Sequence, residues 1–467
     1  MELIFDKGTL LFKSSEETKP EGNLSAFLWD SRVSAYRAPA YLYPQILHRF
    51  NNPPILNPVN LNQVNEFKDQ VEISQAPPIL SESPNLRPYQ QAALASWKLY
   101  ERRGIIVLPT GSGKTLIAIG AIALLRIPTL ILVPTRVLLD QWEVALTKYF
   151  NGPVGILGDG KKHLSSITVS TFESGYRYMS QIGNRFNLLI IDEIHHFGNG
   201  IRDEALEMCT APYRLGLTAT NVTNHKVQER LRELVGPTIY ELTVSELKDQ
   251  YLSPFNLFSI QLHLNMAERK SYEALMKKFR IFYWPFAQAH SNFDWAEFVR
   301  TAQKSPQGCQ AFSAWQQARQ IINFPRAKQE MLSSLLQQHR QHKLLIFTPD
   351  TATAYRIAKK HLIMPITSDI KRAEREEVLS KFREGRLLAL VSCRVLNEGI
   401  DVPDAEGAII VGGNHGEREH IQRIGRCLRR VQGKNAIVYE LVVKDTMEVW
   451  HWLRRSRTLD SRVVAKI

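Results

Sequence analysis

The residues with the clearest chemical meaning lie in the stretch Leu108-Pro-Thr-Gly-Ser-Gly-Lys-Thr115. The apolar run Ile105–Leu108 leads into it and the apolar-periodic run Leu116–Leu125 leads out, which predicts a strand, a glycine loop and a helix. Such a loop binds phosphate because glycines let several backbone N–H groups point inward, and the helix N-terminus adds positive charge. The alternative, an accidental Gly/Ser turn, does not explain the correct flanking elements. We predict that ATP is bound by Thr110, Gly111, Ser112, Gly113, Lys114 and Thr115.

Two of these residues have a more specific predicted role. Lys114 can reach the β- and γ-phosphates and is a candidate catalytic residue, while the Thr115 hydroxyl can ligate Mg²⁺. The general P-loop pattern has a glycine at the position of Leu108. The shorter form found here is typical of helicases rather than of kinases or GTPases.

A pair of carboxylates follows the apolar run Leu188–Ile191 in the motif Asp192-Glu-Ile-His195. A carboxylate at the end of a strand can hold Mg²⁺, and the next can orient the attacking water. We therefore predict that Asp192 binds metal and that Glu193 is the catalytic general base. An exposed acidic turn is the alternative, and the buried-type strand before the pair argues against it.

Several polar residues of the same half are candidates for supporting roles. The Gln90 amide offers the donor and acceptor that match the adenine edge, and Arg87 can stack or pair there. His195 can link the γ-phosphate to the next strand end, where Thr218 and Thr220 can couple the metal site to the second half of the chain. Taken alone, the Arg87–Gln90 segment could equally be a surface turn.

A basic motif in the second half, Gln422-Arg-Ile-Gly-Arg-Cys-Leu-Arg429, spaces its arginines by three. On a helix these side chains project from one side. Guanidinium groups that face a phosphate site neutralise transition-state charge as arginine fingers, so Arg426 and Arg429 are candidate catalytic residues. A solvated basic helix is the usual alternative for such a run.

The elements that must position these residues follow an alternation of apolar strands and amphipathic helices, which predicts parallel α/β sheets. The strands predicted in the first half are Ile105–Leu108, Thr129–Val133, Ile167–Ser170, Leu188–Ile191 and Leu215–Thr218. Those predicted in the second half are Lys343–Phe347, Leu387–Val391, Gly407–Val411 and Asn435–Glu440. Since the second half has no P-loop of its own, we expect an ATP site that closes between two lobes.

Breaks in composition divide the chain further. The predicted domains are a small α+β module at 1–75, a linker at 76–85, a first lobe at 86–253, an aromatic-rich helical insertion at 254–325 and a second lobe at 326–467. Adjacent prolines mark the linker because they resist both helix and central strand.

Composition excludes several classes of protein. The chain has 467 residues and 44% hydrophobic content, no run long enough to span a bilayer and no basic leader, so we expect a cytoplasmic protein with no membrane contact. Its four cysteines form no C-x-x-C pair, which predicts free thiols. A net charge of +13 favours a polyanionic partner, although a basic, soluble surface explains it as well.

The ordered set of motifs resembles superfamily 2 helicases over about residues 86–430, and within them the xeroderma pigmentosum group B (XPB) type in its compact prokaryotic form. The motifs are Arg87-Pro-Tyr-Gln90, the P-loop, Val133-Pro-Thr-Arg136, Ser170-Thr-Phe172, Asp192–His195, Thr218-Ala-Thr220, Ile346-Phe-Thr348, Glu398-Gly-Ile-Asp-Val-Pro403 and Gln422–Arg429. Further support comes from Trp29–Arg32, Tyr36–Pro39, Gly183–Phe186, Ala211–Thr218 and Val395–Pro403.

The resemblance implies two RecA-like lobes, a thumb-like helical insertion and an N-terminal domain that resembles a damage-recognition domain. It implies 3′-to-5′ DNA unwinding or translocation driven by ATP and Mg²⁺, in nucleotide excision repair or transcription-linked DNA opening, and a nuclease partner. It also assigns Gly399 and Asp401 to ATP binding and Gln422 to coupling. One departure concerns strand separation: the family commonly has an Arg-Glu-Asp triplet after Thr-Ala-Thr, whereas this chain has Asn221-Val-Thr-Asn-His225.

The expected partner is DNA, both single-stranded and forked duplex, with backbone contacts and little sequence specificity. The loops after the strands offer hydroxyls, N–H groups and arginine to phosphates. The residues predicted to contact phosphates are Thr135, Arg136, Thr171, Thr348 and Ser392. In the aromatic insertion, Tyr283 and Trp284 are predicted to stack on bases, although a role in the core of the insertion is the commoner one.

Two other functions stay open at this point. An RNA helicase would share every ATPase motif. An ATP-switched DNA clamp that recruits a nuclease partner would hydrolyse ATP with little strand separation, and the missing triplet favours it. The lesion recognised, the partner and the oligomeric state do not follow from the residues.

Overall fold

Continuously apolar strands that alternate with amphipathic helices account for most of the structured chain. The computed structural model describes residues 2–13, 27–51, 68–69, 79–109, 111–219, 222, 224–242, 246, 255–290, 295–367, 369–393, 405–412, 436–449, 452–453 and 464–466. The chain divides into two compact units, Met1–Thr243 and Val244–Ile467.

The strands and helices of these described residues are numbered in chain order. The strands are β1 (Glu2–Asp6), β2 (Thr9–Lys13), β3 (Leu28–Asp30), β4 (Ala35–Pro39), β5 (Lys68–Asp69), β6 (Ile79–Leu80), β7 (Arg103–Val107), β8 (Thr129–Val133), β9 (Phe150–Asn151), β10 (Gly155–Gly158), β11 (Lys161–His163), β12 (Ile167–Thr171), β13 (Leu188–Asp192), β14 (Tyr213–Thr218), β15 (Thr238–Glu241), β16 (Phe255–Leu262), β17 (Leu344–Phe347), β18 (Met364–Ile366), β19 (Ala389–Ser392), β20 (Gly407–Ile410), β21 (Ala436–Val443) and β22 (Val464–Lys466). The helices are α1 (Tyr43–Asn51), α2 (Pro88–Leu99), α3 (Lys114–Leu125), α4 (Arg136–Tyr149), α5 (Phe172–Ile182), α6 (Glu204–Glu207), α7 (His225–Leu234), α8 (Met266–Ala289), α9 (Trp295–Ala302), α10 (Pro306–Asn323), α11 (Arg326–Gln338), α12 (Thr351–His361) and α13 (Arg372–Arg383), with 3-10 turns at Ala40–Leu42 and Ile194–His196.

The N-terminal sheet of the first unit has the strand order β3-β4-β2-β1-β5, built on the antiparallel hairpin of β1 and β2. Its own small core contains Leu3, Leu10 and Phe12. This module packs directly on the rest of the unit, because Tyr41 belongs to the large core cluster of the α/β sheet. The tight β1–β2 turn also abuts that body: a Cβ on Gly8 would lie 2.5 Å from Met208.

The α/β sheet of the first unit has the order β11-β10-β12-β8-β13-β14-β7-β15. Within it only β10 and β11 pair antiparallel among the described ladders. Every residue of β8, β12 and β13 is buried, as expected for strands with helices on both faces. The parallel α/β sheet predicted from the apolar alternation is confirmed, as is the RecA-like lobe that the family resemblance implies.

The second unit contains a sheet of order β18-β19-β17-β20-β21-β16-β22, whose described ladders are all parallel. One strand was not foreseen. Residues 254–325 were predicted as a helical insertion, but Phe255–Leu262 forms β16 and pairs with β21 along its whole length. The prediction missed β16 because its partner β21 lies about 180 residues downstream, so the local sequence carries no signal for this pairing.

The helical part of the second unit consists of α8, α9 and α10. Helix α8 starts with a capping box in which Asn265 accepts from Glu268 N and the Glu268 carboxylate accepts from Asn265 N. Phe279, Phe286 and Phe298 of this region belong to one core cluster, and Phe282, Tyr283, Phe312 and Trp315 are partly buried against it. None of the helices in the described part of the chain is both long and apolar enough to cross a membrane.

Candidate active site

Three neighbouring strands of the first unit bring the predicted ATPase residues to one edge of the sheet. Strand β14 lies between β13 and β7, and the registers pair Asp192 with Leu217 and Thr218 with Val107. Leu108 N, at the start of the glycine loop, donates to Thr218 O at 2.9 Å. Because these strands are parallel, their carboxyl ends coincide, and the loop, the carboxylates and Thr218 come together.

The glycine loop uses left-handed backbone at two positions. Gly111 has φ +83° and Gly113, the residue before α3, has φ +77°. A side chain at Gly113 is excluded twice, because its Cβ would also lie 2.5 Å from Gln90 Nε2. Lys114 Nζ donates to Leu108 O at 3.0 Å, so the ammonium group lies over the start of the same loop.

Two side chains of helix α2 hold the glycine loop in place by hydrogen bonds. Gln90 is buried, and its Nε2 donates to Ser112 O at 2.8 Å while its Oε1 accepts from Arg87 N at 2.9 Å. Tyr89 Oη donates to the same Ser112 carbonyl at 2.5 Å. The Gln90 amide therefore holds the loop in this structure, and its predicted contact with adenine stays a prediction, as does that of the exposed Arg87.

Asp192 ends β13 with both carboxylate oxygens fixed. Its Oδ1 accepts from Glu193 N at 3.1 Å and its Oδ2 accepts from Trp142 Nε1 at 3.0 Å. Burial, and then the neighbouring Glu193 carboxylate, raise the pKa of Asp192 to about 6, against the opposing effects of the Trp142 hydrogen bond and the Lys114 charge. A cation bound beside a buried carboxylate of raised pKa would stabilise its ionised form.

Glu193 occupies a strained backbone position. Its φ of +55° lies in the left-handed region, which non-glycine residues adopt uncommonly and at some energetic cost. Its buried Oε2 accepts no hydrogen bond from the described residues, and His195 Nδ1 lies 3.4 Å away. Burial raises the pKa of Glu193, but the interaction with His195 and the Lys114 charge outweigh it and hold that pKa at about 2.

His195 connects the carboxylates to the neighbouring strand. Its Nδ1 lies 3.0 Å from Thr218 Oγ1, across the β13–β14 pair. The adjacent His196, which has no predicted role, is exposed and lies against the His195 ring with centroids 4.4 Å apart. The geometry thus links Glu193, His195 and Thr218 in one polar chain.

The donor set fits a magnesium nucleotide. It combines a glycine loop with two left-handed residues, a lysine, a strand-end carboxylate of raised pKa and a buried carboxylate oxygen with unused acceptor capacity. Mg²⁺ takes only one or two protein oxygens and completes its shell with phosphates and water. Asp192 and Thr115, which lies in the first turn of α3, suit that requirement.

Some predicted site residues lie outside the described part of the chain. They are Thr110, Thr220, Gly399, Asp401, Gln422, Arg426 and Arg429. Their roles stay predictions from the sequence.

The predicted DNA contacts of the first unit lie at the carboxyl ends of β8 and β12, which are adjacent. Thr135 caps α4 by accepting from Leu138 N at 3.3 Å, and Thr171 caps α5 by accepting from Ser174 N at 3.2 Å. Two helix N-termini therefore face the same edge, where their partial positive charge suits phosphate. Arg136 is largely exposed and pairs with Asp159 at 2.8 Å.

The two predicted contacts of the second unit differ from the expectation. Thr348 and Ser392 are both 0% exposed. The Thr348 hydroxyl donates to Asp350 O and Ser392 O, and the Ser392 hydroxyl donates to Ile366 O. In this structure both hydroxyls therefore bond to backbone at the ends of β17 and β19, and neither is exposed for a contact with phosphate.

Tyr283 and Trp284 divide between the two roles that were open for them. Tyr283 is half-buried in the aromatic cluster, with ring centroids 4.9 Å from Phe279 and 5.3 Å from Phe298. Trp284 is 58% exposed beside a cavity of about 660 Å³ that Arg280 and Lys277 also line. Of the pair, only Trp284 presents its ring to solvent.

The sequence reasoning missed Trp142 and Tyr89, which contact the predicted site directly. Trp142 sits in the apolar stripe of α4 with Leu139 and Leu146, so its spacing indicates only a core residue. Nothing in that spacing shows that the indole N–H meets a carboxylate. Tyr89 could have been found, since it lies within the Arg87–Gln90 motif itself.

Three families match separate parts of the chain. Residues 3–54 match the xeroderma pigmentosum group B helicase damage recognition domain, residues 83–222 match the type III restriction enzyme, res subunit, and residues 327–431 match the helicase conserved C-terminal domain. The order of these matches follows the order of the motifs along the chain.

Similar whole proteins agree with the family matches. The chain is 37% identical over 421 residues to the DNA 3′-5′ translocase XPB2 of Sulfurisphaera tokodaii, covering 90% of this chain and 93% of that protein. It is 26% identical to the DNA 3′-5′ helicase XPB of Mycobacterium tuberculosis, covering 80% of this chain and 63% of that one. Among solved structures, Saccharomyces cerevisiae Dbp5 bound to RNA and ADP BeF3 has a TM-score of 0.54, 15% identity and coverage of 81% and 89%, which shows a shared fold.

Proposed function

This chain belongs to the XPB-type superfamily 2 helicases, and from that membership we propose that it is an ATP-driven 3′-to-5′ DNA translocase and helicase. The observation that carries the proposal is the common edge of β7, β13 and β14. There a glycine loop, two carboxylates and a coupled His195–Thr218 pair lie together.

The glycine loop is the proposed phosphate site. Its left-handed Gly111 and Gly113 turn the backbone, and the N-terminus of α3 adds partial positive charge. The Lys114 ammonium, which now donates to the Leu108 carbonyl, can exchange that neutral acceptor for charged phosphate oxygens. A charge-assisted hydrogen bond is the stronger of the two, so the exchange favours bound nucleotide.

Asp192 and Thr115 would hold Mg²⁺. Bound there, the ion would supply positive charge that offsets the negative charge of the phosphates during transfer. The two hydrogen bonds to Asp192, from Trp142 and Glu193 N, fix the carboxylate before any ligand arrives. A fixed ligand loses little orientational freedom on binding.

Glu193 is proposed to orient the attacking water. Because the interaction with His195 and the Lys114 charge hold its pKa low, its carboxylate is ionised at neutral pH and can accept a hydrogen bond from that water, and the general-base role predicted from the sequence stays a prediction. The left-handed φ of +55° lies directly after the last residue of β13, so the chain turns out of the strand at Glu193. His195 Nδ1 lies near both the Glu193 carboxylate and the Thr218 hydroxyl, so it can couple Glu193 to Thr218 on β14.

DNA is the proposed track. The N-termini of α4 and α5 lie side by side at the ends of β8 and β12 and suit the phosphates of one strand. Contacts of this kind read backbone and not bases, so we expect little sequence preference. The match of residues 3–54 to a damage recognition domain supports a role in DNA repair, and a nuclease partner is proposed from the family resemblance alone.

A second candidate function is an ATP-switched DNA clamp. It is favoured by Asn221-Val-Thr-Asn-His225, which stands where the family commonly has the Arg-Glu-Asp triplet linked to strand separation. A clamp would use the same ATP site to change its affinity for DNA.

Strand displacement on a 3′-tailed fork distinguishes the two candidates. We expect ATP-dependent displacement, ATP turnover stimulated by single-stranded DNA more than by RNA of the same sequence, and loss of turnover in Lys114→Ala with DNA binding retained. Turnover without displacement would replace the helicase with the clamp. Greater stimulation by RNA would reject DNA as the track, and turnover in Lys114→Ala would reject the ATP site.

A further inference from the structure

Trp142 makes the contact that the known motifs do not explain. It lies on α4, is 1% exposed, and its indole Nε1 donates to Asp192 Oδ2 at 3.0 Å. A buried indole N–H needs an acceptor, and in most proteins a backbone carbonyl serves. Here the acceptor is the carboxylate that ends β13.

A second buried tryptophan of the same unit shows the ordinary arrangement. Trp97 is 0% exposed, and its Nε1 donates to the Arg214 carbonyl at 2.9 Å. The two indoles are equal in burial and in hydrogen-bond length. They differ in the acceptor, which is neutral backbone for Trp97 and an anionic side chain for Trp142.

The acceptor matters because Asp192 has two oxygens and each has a fixed donor. Glu193 N holds Oδ1 at 3.1 Å and Trp142 holds Oδ2. The backbone donor is part of β13 and moves with it, but the indole comes from a separate helix. Of these two donors to the carboxylate, Trp142 is therefore the one that relates its rotation to α4.

Helix α4 also carries a predicted contact with a DNA phosphate at its N-terminus. It begins at Arg136, six residues before Trp142, which corresponds to about 9 Å along a helix axis. Thr135 caps this end by accepting from Leu138 N. The same rigid segment thus contains a predicted phosphate contact and the donor to Asp192.

We propose that Trp142 is a positioning residue for the metal site, which orients the Asp192 carboxylate for Mg²⁺ through its indole N–H. The inference rests on the proposed function, since it needs Asp192 to be the metal ligand. Groups that orient a ligand in this way typically contribute a factor of 10–100 to metal affinity. The energetic effect should therefore appear in metal binding first and in turnover only as a result.

The test uses Mn²⁺ as the probe and ADP as the nucleotide, with free Mn²⁺ measured by electron paramagnetic resonance on the full chain. Trp142→Phe removes the donor and keeps an apolar ring, and we expect its Mn²⁺ affinity to fall about 10-fold. Trp142→His keeps a ring N–H at the same distance from Cβ as the indole N–H, and we expect it to bind Mn²⁺ more tightly than Trp142→Phe. Trp97→Phe is the matched control and should bind as the unaltered chain does.

The outcomes separate this inference from the proposed function. Equal Mn²⁺ affinity in Trp142→Phe and the unaltered chain would overturn the positioning role, as would equal weakening in Trp142→His and Trp142→Phe. If Trp142→Phe does not fold, the Mn²⁺ affinity of Trp142→His is compared with that of Trp97→Phe. A fall in affinity to the level of nucleotide-free protein in Trp142→His, with no fall in Trp97→Phe, would contradict rescue by the ring N–H. Absence of ADP-dependent Mn²⁺ binding in the unaltered chain would instead reject the proposed ATP site.

Discussion

The α/β sheets of the two units are both built mainly of parallel strands, but their described residues treat buried charge in opposite ways. In the first unit, Asp192 and Glu193 lie at a strand end with a raised pKa in one and an unused acceptor oxygen in the other. In the second unit, the buried pair of Lys328 and Glu448 is fully satisfied: Lys328 Nζ donates to both Glu448 oxygens, at 2.7 and 2.9 Å, and to Ile322 O at 2.9 Å.

The strand ends show the same contrast. Those of the first unit offer carboxylates, a glycine loop and a lysine. The strand ends that the structure describes in the second unit offer Thr348 and Ser392, whose hydroxyls donate to backbone carbonyls, and Gly412, where an added Cβ would lie 2.6 Å from Lys328 Nζ. Among the described residues of these two edges, the incompletely compensated charge therefore lies at the strand ends of the first unit, where the ligand site is proposed.

One substitution in each unit gives the largest expected difference in ATP turnover and thermal stability between the two regions. Glu193→Gln keeps the shape of the side chain and removes its charge, so we expect ATP turnover to fall about a thousandfold with no loss in thermal midpoint. Glu448→Gln should do the reverse, with turnover per folded molecule retained and the midpoint lowered. DNA-stimulated phosphate release and thermal unfolding of both proteins check this. Comparable turnover in the two variants would remove the functional distinction.

Much of this contrast follows from the sequence, and part of it does not. The P-loop and Asp192-Glu-Ile-His195 are local patterns next to apolar strands, so both their sheet and their edge could be predicted. Strand β16 could not, because its partner β21 lies far downstream. The partnership of Lys328 and Glu448 could not either, since nothing local relates two charges 120 residues apart.

Side-chain exposure was the least predictable property. Thr348 follows an apolar strand just as Thr135 does, yet the first is fully buried and the second caps a helix. Tyr283 and Trp284 are neighbours in sequence, and the 100° turn of the helix sends one ring into the aromatic cluster and the other towards solvent.

The second prediction concerns the paired charges of the second unit. Removing one partner leaves the other buried without compensation, so Lys328→Met should lower the free energy of unfolding by about 3–5 kcal/mol. Lys328→Met combined with Glu448→Leu removes both charges and should recover most of that loss. Urea unfolding of the three proteins measures it, and a double variant no more stable than the single one would show that packing, and not charge, dominates.

The third prediction tests a buried cation of the first unit that has no carboxylate partner among the described residues. The Arg214 guanidinium donates to four backbone carbonyls, and burial lowers its pKa to about 10. Arg214→Lys keeps the charge but has too few donors in the required fork, so it should cost about 2 kcal/mol.

Urea unfolding measures this cost against Arg32→Lys, an exposed arginine with 83% of its side chain accessible, which should change stability by no more than a few tenths of a kcal/mol. An equal effect at the two positions would mean that the fork geometry contributes nothing. Since Arg214 is satisfied by backbone alone, its loss should leave nucleotide-dependent Mn²⁺ binding per folded molecule unchanged.

The smallest expected effect concerns pH and the uncompensated charge of the first unit. The pKa of Asp192 is raised to about 6, above the roughly 3.9 of an unfolded chain, so its contribution to stability is fully present below about pH 4 and is lost as the pH rises through 6. Asp192→Asn carries no titrating proton and can still accept the Trp142 hydrogen bond. Relative to the unaltered chain, it should therefore gain about 2 kcal/mol of stability between pH 4 and 7 and remain constant above that.

Thermal unfolding in a chelator, which keeps divalent ions away from the site, measures the difference. A difference that does not change over this range would mean that Asp192 is compensated as completely as Glu448, and the contrast between the two sheets would then rest on Glu193 alone.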